Sequence, residues 1–237
     1  PVVGITGTNG KTTTTYLIEA IMSRAGIPAA VLGTISYRFG SKLVPAPHTT
    51  PESVELQATI RDLADEGAKA VVMEVSSHAL EQRRVDGCRF DVAVFTNLTR
   101  DHLDYHRDME SYFGSKARLF TELVAPDGVK PRRAAAINRD DSYGARLVET
   151  AVAPVISYGL AADAAVRAEN VVFSVDGIAG TLVTPFGTAL FHSHLLGRFN
   201  LYNILAAVAA GVGLGLSLDV ILGGIEGDVR VPGRLER

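Results

Sequence analysis

The residues best suited to chemistry come first, in the segment GTNGKTTTT. A short apolar run, Val2 to Ile5, leads into Gly7, Gly10, Lys11 and Thr12, and a helical pattern follows through Ile21. In a strand, glycine loop, Lys-Thr and helix arrangement, the glycines let backbone N–H groups wrap phosphates. The lysine reaches their outer oxygens, and the threonine hydroxyl ligates Mg²⁺. The start of the helix adds unpaired N–H groups and a positive dipole end. The spacing departs from the general pattern, which places a glycine where this chain has Ile5; Gly4 falls one residue early. The competing reading is an ordinary glycine turn with an incidental Lys-Thr pair. Agreement between the motif and its strand and helix context favours a phosphate loop.

Two further clusters carry polar groups of useful type. The run KAVVMEV ends in Glu74 before SSHALEQRR. A carboxylate one strand from a phosphate loop can hold Mg²⁺ directly or through water, unless it only caps the next helix. The segment TNLTRDHLDYHRD brings together Asp101, His102, Asp104 and His106. His102 and His106 have the i, i+4 spacing of a zinc site on a helix, but the expected Glu beside the first His is missing and no third ligand is evident. A solvated helix start is the competing reading. Lys116, taken alone, reads as a solvated helix lysine.

These groups need a frame. Gly26 suits a helix stop, and Ala29 to Gly33 reads as a second strand. SKLVPAPHTTP reads as a loop, after which Thr50 suits a helix N-cap with Pro51 in the first helical position. That helix has apolar positions at Val54, Ile60, Leu63 and Ala64 and ends near Gly67. KAVVMEV, DVAVFTNL and RAAAIN are nearly continuous apolar strands between helices, which argues for a parallel sheet covered on both faces. From Val166 the rhythm changes: VRAENVVFSV, GTLVTPF and TALFHSHL read as antiparallel hairpins. FNLYNILAAVAAGVGLG and SLDVILGGI return to helix. The expected fold is therefore α/β: a P-loop-containing, mostly parallel doubly wound sheet with an appended antiparallel β segment. Ligands of such sheets gather at the carboxyl ends of the strands.

Bulk properties narrow the function. The 237 residues can bury a sizeable core, and the absence of a repeat or flexible linker makes residues 1–237 one domain. A formal charge of −3 without a basic block gives a nucleic-acid partner no electrostatic support. Cys88 is the only cysteine, so an internal disulfide is excluded and a reducing compartment fits. No signal pattern opens the chain, and the apolar run Ile204 to Leu216 is too short and glycine-rich to span a bilayer. A cytoplasmic monomer without a membrane partner is expected. Pro1 abutting a strand and the closing RVPGRLER read as cuts at domain edges of a longer enzyme.

The ordered set GTNGKTTTT, HTTPES, EVSSHALEQRRV, NLTRDHLDYH, YFGSKARLF, NRDD, LLGRFNLYNILAA and VPGR resembles the Mur ligase family, most closely its MurE-type branch. The resemblance covers essentially the whole chain but only the central ATP-binding domain of the family's three. By that resemblance the N-terminal UDP-binding and C-terminal amino-acid-binding domains are expected to lie outside these residues, in which no DNPR-type segment appears. By resemblance, Gly7, Thr8, Asn9, Gly10, Lys11, Thr12 and Thr13 hold ATP, and Thr12 and Glu74 serve one Mg²⁺. His102 serves a second Mg²⁺ with Lys116, which matches the family's lysine carbamylated by CO₂. Lys11, His102 and Lys116 form the implied catalytic set. Asn200 and Asn203 fall on the adenine side, and Arg234 matches an arginine that reaches the nucleotide. Asn138, Asp140 and Asp141 match a turn of structural character. Thr49, Thr50, Ser76, Gln82 and Arg84 match positions that hold UDP-N-acetylmuramoyl dipeptide. Read without the family, Asn203 is equally a core hydrogen-bonding residue, and Arg84 and Arg234 are surface charges.

The implied reaction is ATP-driven amide formation through an acyl phosphate, adding meso-diaminopimelate or L-lysine to UDP-N-acetylmuramoyl-L-Ala-D-Glu for peptidoglycan synthesis. Rival readings are a MurF-type or folylpolyglutamate ligase, and a P-loop switch whose nucleotide state controls a partner.

Overall fold

The computed structural model describes residues 1–101, 105–124, 130, 132–227, 229 and 231–232. The chain begins with β1 (Val2–Thr6), α1 (Lys11–Arg24), β2 (Ala29–Leu32), β3 (Ser36–Phe39), β4 (Lys42–Pro45) and α2 (Ser53–Asp65). It continues with β5 (Ala70–Glu74), α3 (Ser77–Glu81), β6 (Val92–Phe95) and α4 (Met109–Arg118), which runs on as a π-helical turn, Leu119–Leu123. Next come β7 (Ala134–Asn138), α5 (Ser142–Thr150) and β8 (Val155–Gly159). The hairpin strands β9 (Val166–Ser174), β10 (Gly177–Thr184) and β11 (Gly187–Ser193) precede α6 (Arg198–Gly213) and α7 (Leu218–Ile225).

Among the described residues the strands form one eleven-stranded sheet in the order β11-β10-β9-β8-β7-β6-β1-β5-β2-β3-β4. From β9 to β2 every neighbouring pair is parallel. Both edges are antiparallel extensions, β9-β10-β11 on one side and β2-β3-β4 on the other. β1 is central, with Val3 opposite Val72 of β5 and Val92 of β6. Alternate residues of these strands serve two cores. Val3, Ile5, Val72 and Val94 pack under α1, α6 and α7. Val71, Met73, Ala93 and Phe95 pack against Leu56 and Leu63 of α2, Tyr112 of α4 and Leu147 of α5. Because both faces are covered, the strands read as continuous apolar runs. α6 is buried from Ile204 to Val212, as a helix apolar on all sides must be. Among the described residues no helix is long and apolar enough to cross a membrane.

The doubly wound parallel sheet with its C-terminal hairpins matches expectation, and four local readings need correction. The Pro- and His-rich stretch expected as a loop contains β4, which pairs with β3 around a turn at Gly40-Ser41. PVISYG supplies β8, a strand the alternation had not flagged. Thr50 is not the cap of α2; the helix starts at Ser53 with Glu52 as its cap. The apolar face of α2 is also turned: Leu56 and Leu63 are buried, whereas Val54 is 82% exposed and Ala64 lies in solvent. Leu56→Ala should cost about 2–5 kcal/mol, and Val54→Ala should stay within about 0.5 kcal/mol. Urea denaturation of the two variants checks the orientation of this helix.

Candidate active site

The carboxyl end of β1 delivers the glycine loop between two neighbours. A Cβ on Gly7 would lie 1.9 Å from the Thr96 hydroxyl, and one on Gly10 would lie 2.3 Å from Asn203 Oδ1. The loop is therefore wedged between the end of β6 and the first turns of α6, with room only for glycine. Gly10 has a φ of 86°, the left-handed region that glycine tolerates. It brings no side chain to cap α1, so the helix start faces the cleft with its N–H groups. The loop is pinned by Thr8 N donating to Asn97 O (2.8 Å) and Asn9 N donating to Asn97 Oδ1 (3.0 Å). Lys11 Nζ lies over it, donating to Gly7 O (2.9 Å) and Thr8 O (2.8 Å).

Glu74, the last residue of β5, is only 1% exposed. Its Oε1 accepts from the Thr12 hydroxyl and from Thr34 N, both at 3.0 Å, and its Oε2 accepts from the Thr34 hydroxyl at 3.0 Å. The hydrogen of Thr12 is committed to the carboxylate, which leaves its oxygen lone pairs for a hard cation. A hydroxyl and a carboxylate side by side at the mouth of a phosphate loop are the oxygen donors Mg²⁺ takes, so the residues fit that ion.

Thr50 is equally buried, and its hydroxyl is a strut. It donates to Glu74 O (2.9 Å) and accepts from Ser76 N (3.1 Å). Its carbonyl accepts from Arg84 Nη1 at 3.1 Å. Arg84 pairs with Glu52 (2.8 Å) and donates through Nε to Gln82 Oε1 (2.8 Å), while Gln82 Nε2 donates to Tyr105 Oη (3.3 Å). Ser76 caps α3 by accepting from Ala79 N. Thr8 through Thr13, Thr49, Thr50, Glu74, Ser76, Arg84, Asn200 and Asn203 line one cleft of about 760 Å³. Gln82 is exposed and does not line it; its Oε1 instead accepts from Arg84. Thr34, His48, His78 and Phe199 also line this cleft, and sequence reasoning missed all four. A Gly-Thr pair just past β2, at the carboxyl edge of the sheet, was the available signal for Thr34.

On the other side of the loop a second cleft, about 520 Å³, is lined by Asn9, Gly10, Asn138, Asp140, Tyr202 and Asn203, among others. Asn203 Nδ2 donates to Asn200 Oδ1 (3.0 Å), and Asn200 Nδ2 donates to Leu196 O (2.9 Å). Asn138 donates to Thr96 O, and Asp141 caps α5 and accepts from Leu98 N. Asp140 accepts from Leu160 N and the Tyr202 hydroxyl.

Lys116 is buried under the loop at 1% exposure, so the reading of a solvated helix lysine is overturned. Its Nζ donates to Gly7 O at 3.0 Å, the same carbonyl that Lys11 engages, and lies 4.6 Å from the Tyr112 ring centroid. Burial, and then the nearby Lys11 charge, push the Lys116 amine well below the usual lysine range; Asp101 opposes them. A desolvated, neutral amine is the form that adds CO₂, so the residue fits a carbamate. His106 is 4% exposed, lies before α4 begins and shares a 2.9 Å hydrogen bond with the Ser77 hydroxyl; it is not a solvated helix residue. His102, Asp104 and Arg234 lie outside the described residues.

The family model for the Mur ligase middle domain matches residues 5–211. The chain belongs to the Mur ligase family. It is 98% identical, over all 237 of its residues and 47% of that protein, to a UDP-N-acetylmuramoyl-L-alanyl-D-glutamate–2,6-diaminopimelate ligase of Geobacter sulfurreducens. A solved structure of an enzyme of that name superimposes with a TM-score of 0.89 at 34% identity, covering 99% of this chain and 47% of the other. MurF from Acinetobacter baumannii, with a TM-score of 0.77 at 23% identity, covers 99% of this chain and 47% of its own and shares the fold. The chain spans about half the length of the curated relatives it matches.

The buried lysine of this Mur ligase domain has a consequence for stability. Folded Lys116 holds its proton less tightly than an unfolded lysine near 10.5, so stability rises with pH between those two values. In CO₂-free buffer, Lys116→Met should raise the urea midpoint at neutral pH, and the gain should shrink as pH climbs toward 10.5. A gain that grows with pH contradicts this sign.

Proposed function

We propose that this chain is the ATP-binding centre of a cytoplasmic ligase that joins meso-diaminopimelate to UDP-N-acetylmuramoyl-L-alanyl-D-glutamate. The observation that supports it most is the convergence of Lys11, Thr12 and the buried Glu74 with Thr49 and Arg84 on one cleft. The name shared by the relatives at 98% and 82% identity favours diaminopimelate over lysine as the added residue. Further domains, outside these residues, would grip the uridine and the amino acid.

In this reading the phosphates settle on the N–H groups at the start of α1. Lys11 leaves the carbonyls of Gly7 and Thr8 to meet them. Asn200 and Asn203 bound the adenine side, with Arg234 reaching the nucleotide. Thr12 and Glu74 hold one Mg²⁺, and His102 with carbamylated Lys116 holds a second. When bound, these ions neutralise charge on the transferring phosphoryl group. The carbamate would give Lys116 an anionic oxygen in place of an amine. Arg84, its guanidinium fixed by Gln82 and Glu52, orients the dipeptide. The D-glutamyl carboxylate attacks the γ-phosphorus, expelling ADP, and the incoming amine then displaces inorganic phosphate to form the amide. No protein nucleophile is needed.

The test is turnover by the full-length protein with ATP, Mg²⁺, UDP-N-acetylmuramoyl-L-Ala-D-Glu and either diaminopimelate, L-lysine or, with glutamate, a folate acceptor. Tripeptide product with diaminopimelate is expected, and turnover of folate alone would sink the assignment. Lys11→Ala should lower kcat by about a hundredfold or more. Arg84→Ala should act mainly through the KM for the UDP-linked dipeptide.

A further inference from the structure

Thr34 belongs to none of the motifs that mark the site, yet it makes the most contacts to the carboxylate at its centre. It lies just beyond β2, whose Leu32 is in register with Met73 of β5, so the chain leaves the sheet beside Glu74. The backbone approaches closely here: a Cβ on Gly33 would sit 2.5 Å from Glu74 Oε1. Thr34 then holds both carboxylate oxygens at once, its N–H on Oε1 and its hydroxyl on Oε2, each at 3.0 Å. Thr12 adds one bond to Oε1. Thr34 therefore supplies two of these three bonds and, among the described residues, alone engages Oε2.

The same hydroxyl lies 3.2 Å from the Thr49 hydroxyl. A threonine hydroxyl carries one hydrogen, and a carboxylate only accepts. The Thr34 hydrogen is given to Glu74, so Thr34 accepts at the second contact and Thr49 donates. Proton accounting thus fixes one direction, from Thr49 to Thr34 to Glu74. Thr49 and Glu74 line the same cleft, and Thr34 is the hydroxyl that joins them.

We propose that Thr34 is a positioning residue of the ligase: it aims Glu74 for the cation and ties that aim to Thr49 on the dipeptide side. This rests on the nucleotide-dependent ligase reading above. Partners that orient a metal-binding carboxylate typically change metal affinity by about 10–100-fold when removed. Thr34 is exposed in the open cleft rather than packed in the core, so its hydroxyl can be replaced without opening a cavity.

The experiment uses the full-length protein and reads Mn²⁺ affinity in the presence of ADP by electron paramagnetic resonance, with steady-state kinetics alongside. Thr34→Val removes the hydroxyl and keeps the N–H, Thr34→Ala removes the hydroxyl without adding a branched side chain, and Thr34→Ser restores the hydroxyl. Expected are an affinity for Mn²⁺ about tenfold weaker in the Val and Ala variants, a raised KM for the UDP-linked dipeptide, and near-normal values for Ser. Wild-type Mn²⁺ affinity in Val and Ala overturns the proposal while leaving the ligase reading intact. A Ser variant as weak as Val also overturns it, because the hydroxyl is then not the operative group. If the wild-type protein binds no Mn²⁺ with nucleotide, both the ligase reading and this inference fall.

Discussion

A buried carboxylate is the constraint around which the site is arranged. Glu74 closes β5 at 1% exposure, and a charged group taken out of water is costly unless its lone pairs are met. They are met from two elements far from Glu74 in the chain: the first turn of α1 through Thr12, and the exit of β2 through Thr34. The loop ahead of α2 reaches the backbone of the same residue through Thr50. This convergence requires β2 and β1 to flank β5, which is the order the sheet adopts. Thr12 belongs to a run of threonines that opens α1. Threonine is a modest helix former, yet Thr12 to Thr15 are all buried, and Thr15 returns its hydroxyl to Lys11 O at 2.9 Å.

The second organising feature is the carbonyl of Gly7, which accepts from both Lys11 and Lys116. Two amines on one oxygen repel each other if both are charged, and the buried member is the one driven toward neutrality. The loop thus places a positive group on its cleft side and a desolvated amine on its inner side. An anion entering the cleft meets the first. The second suits reaction with CO₂ far better than a solvated lysine would. α4 and the π-helical turn after it carry Tyr112, Phe113, Leu119 and Phe120 into the core, which holds Lys116 in place.

What was legible in the sequence was local. The phosphate loop, Glu74 at the end of its strand and the parallel sheet follow from contiguous residues whose spacing has one physical reading. Thr50 was misread because its hydroxyl serves the backbone around Glu74, 24 residues away, instead of the helix beside it. The burial of Lys116 depends on a contact with Gly7 across 109 residues, which no local pattern on α4 reveals. Thr34 escaped notice for the same reason, since its carboxylate partner lies 40 residues downstream. β4 was hidden by composition: Pro45 at its end, with Pro47 and His48 just after it, suggested a loop, whereas an edge strand tolerates proline. The resemblance to the Mur ligases pointed to Lys116 where residue chemistry alone did not.

The most direct test of the central claim is a crystal structure of the full-length protein with a non-hydrolysable ATP analogue and Mn²⁺, located by anomalous scattering. The account predicts an anomalous peak against Thr12 and Glu74, with the β- and γ-phosphates on the N–H groups that open α1. A cation elsewhere, or a triphosphate that leaves Lys11 and Thr12 untouched, would contradict it.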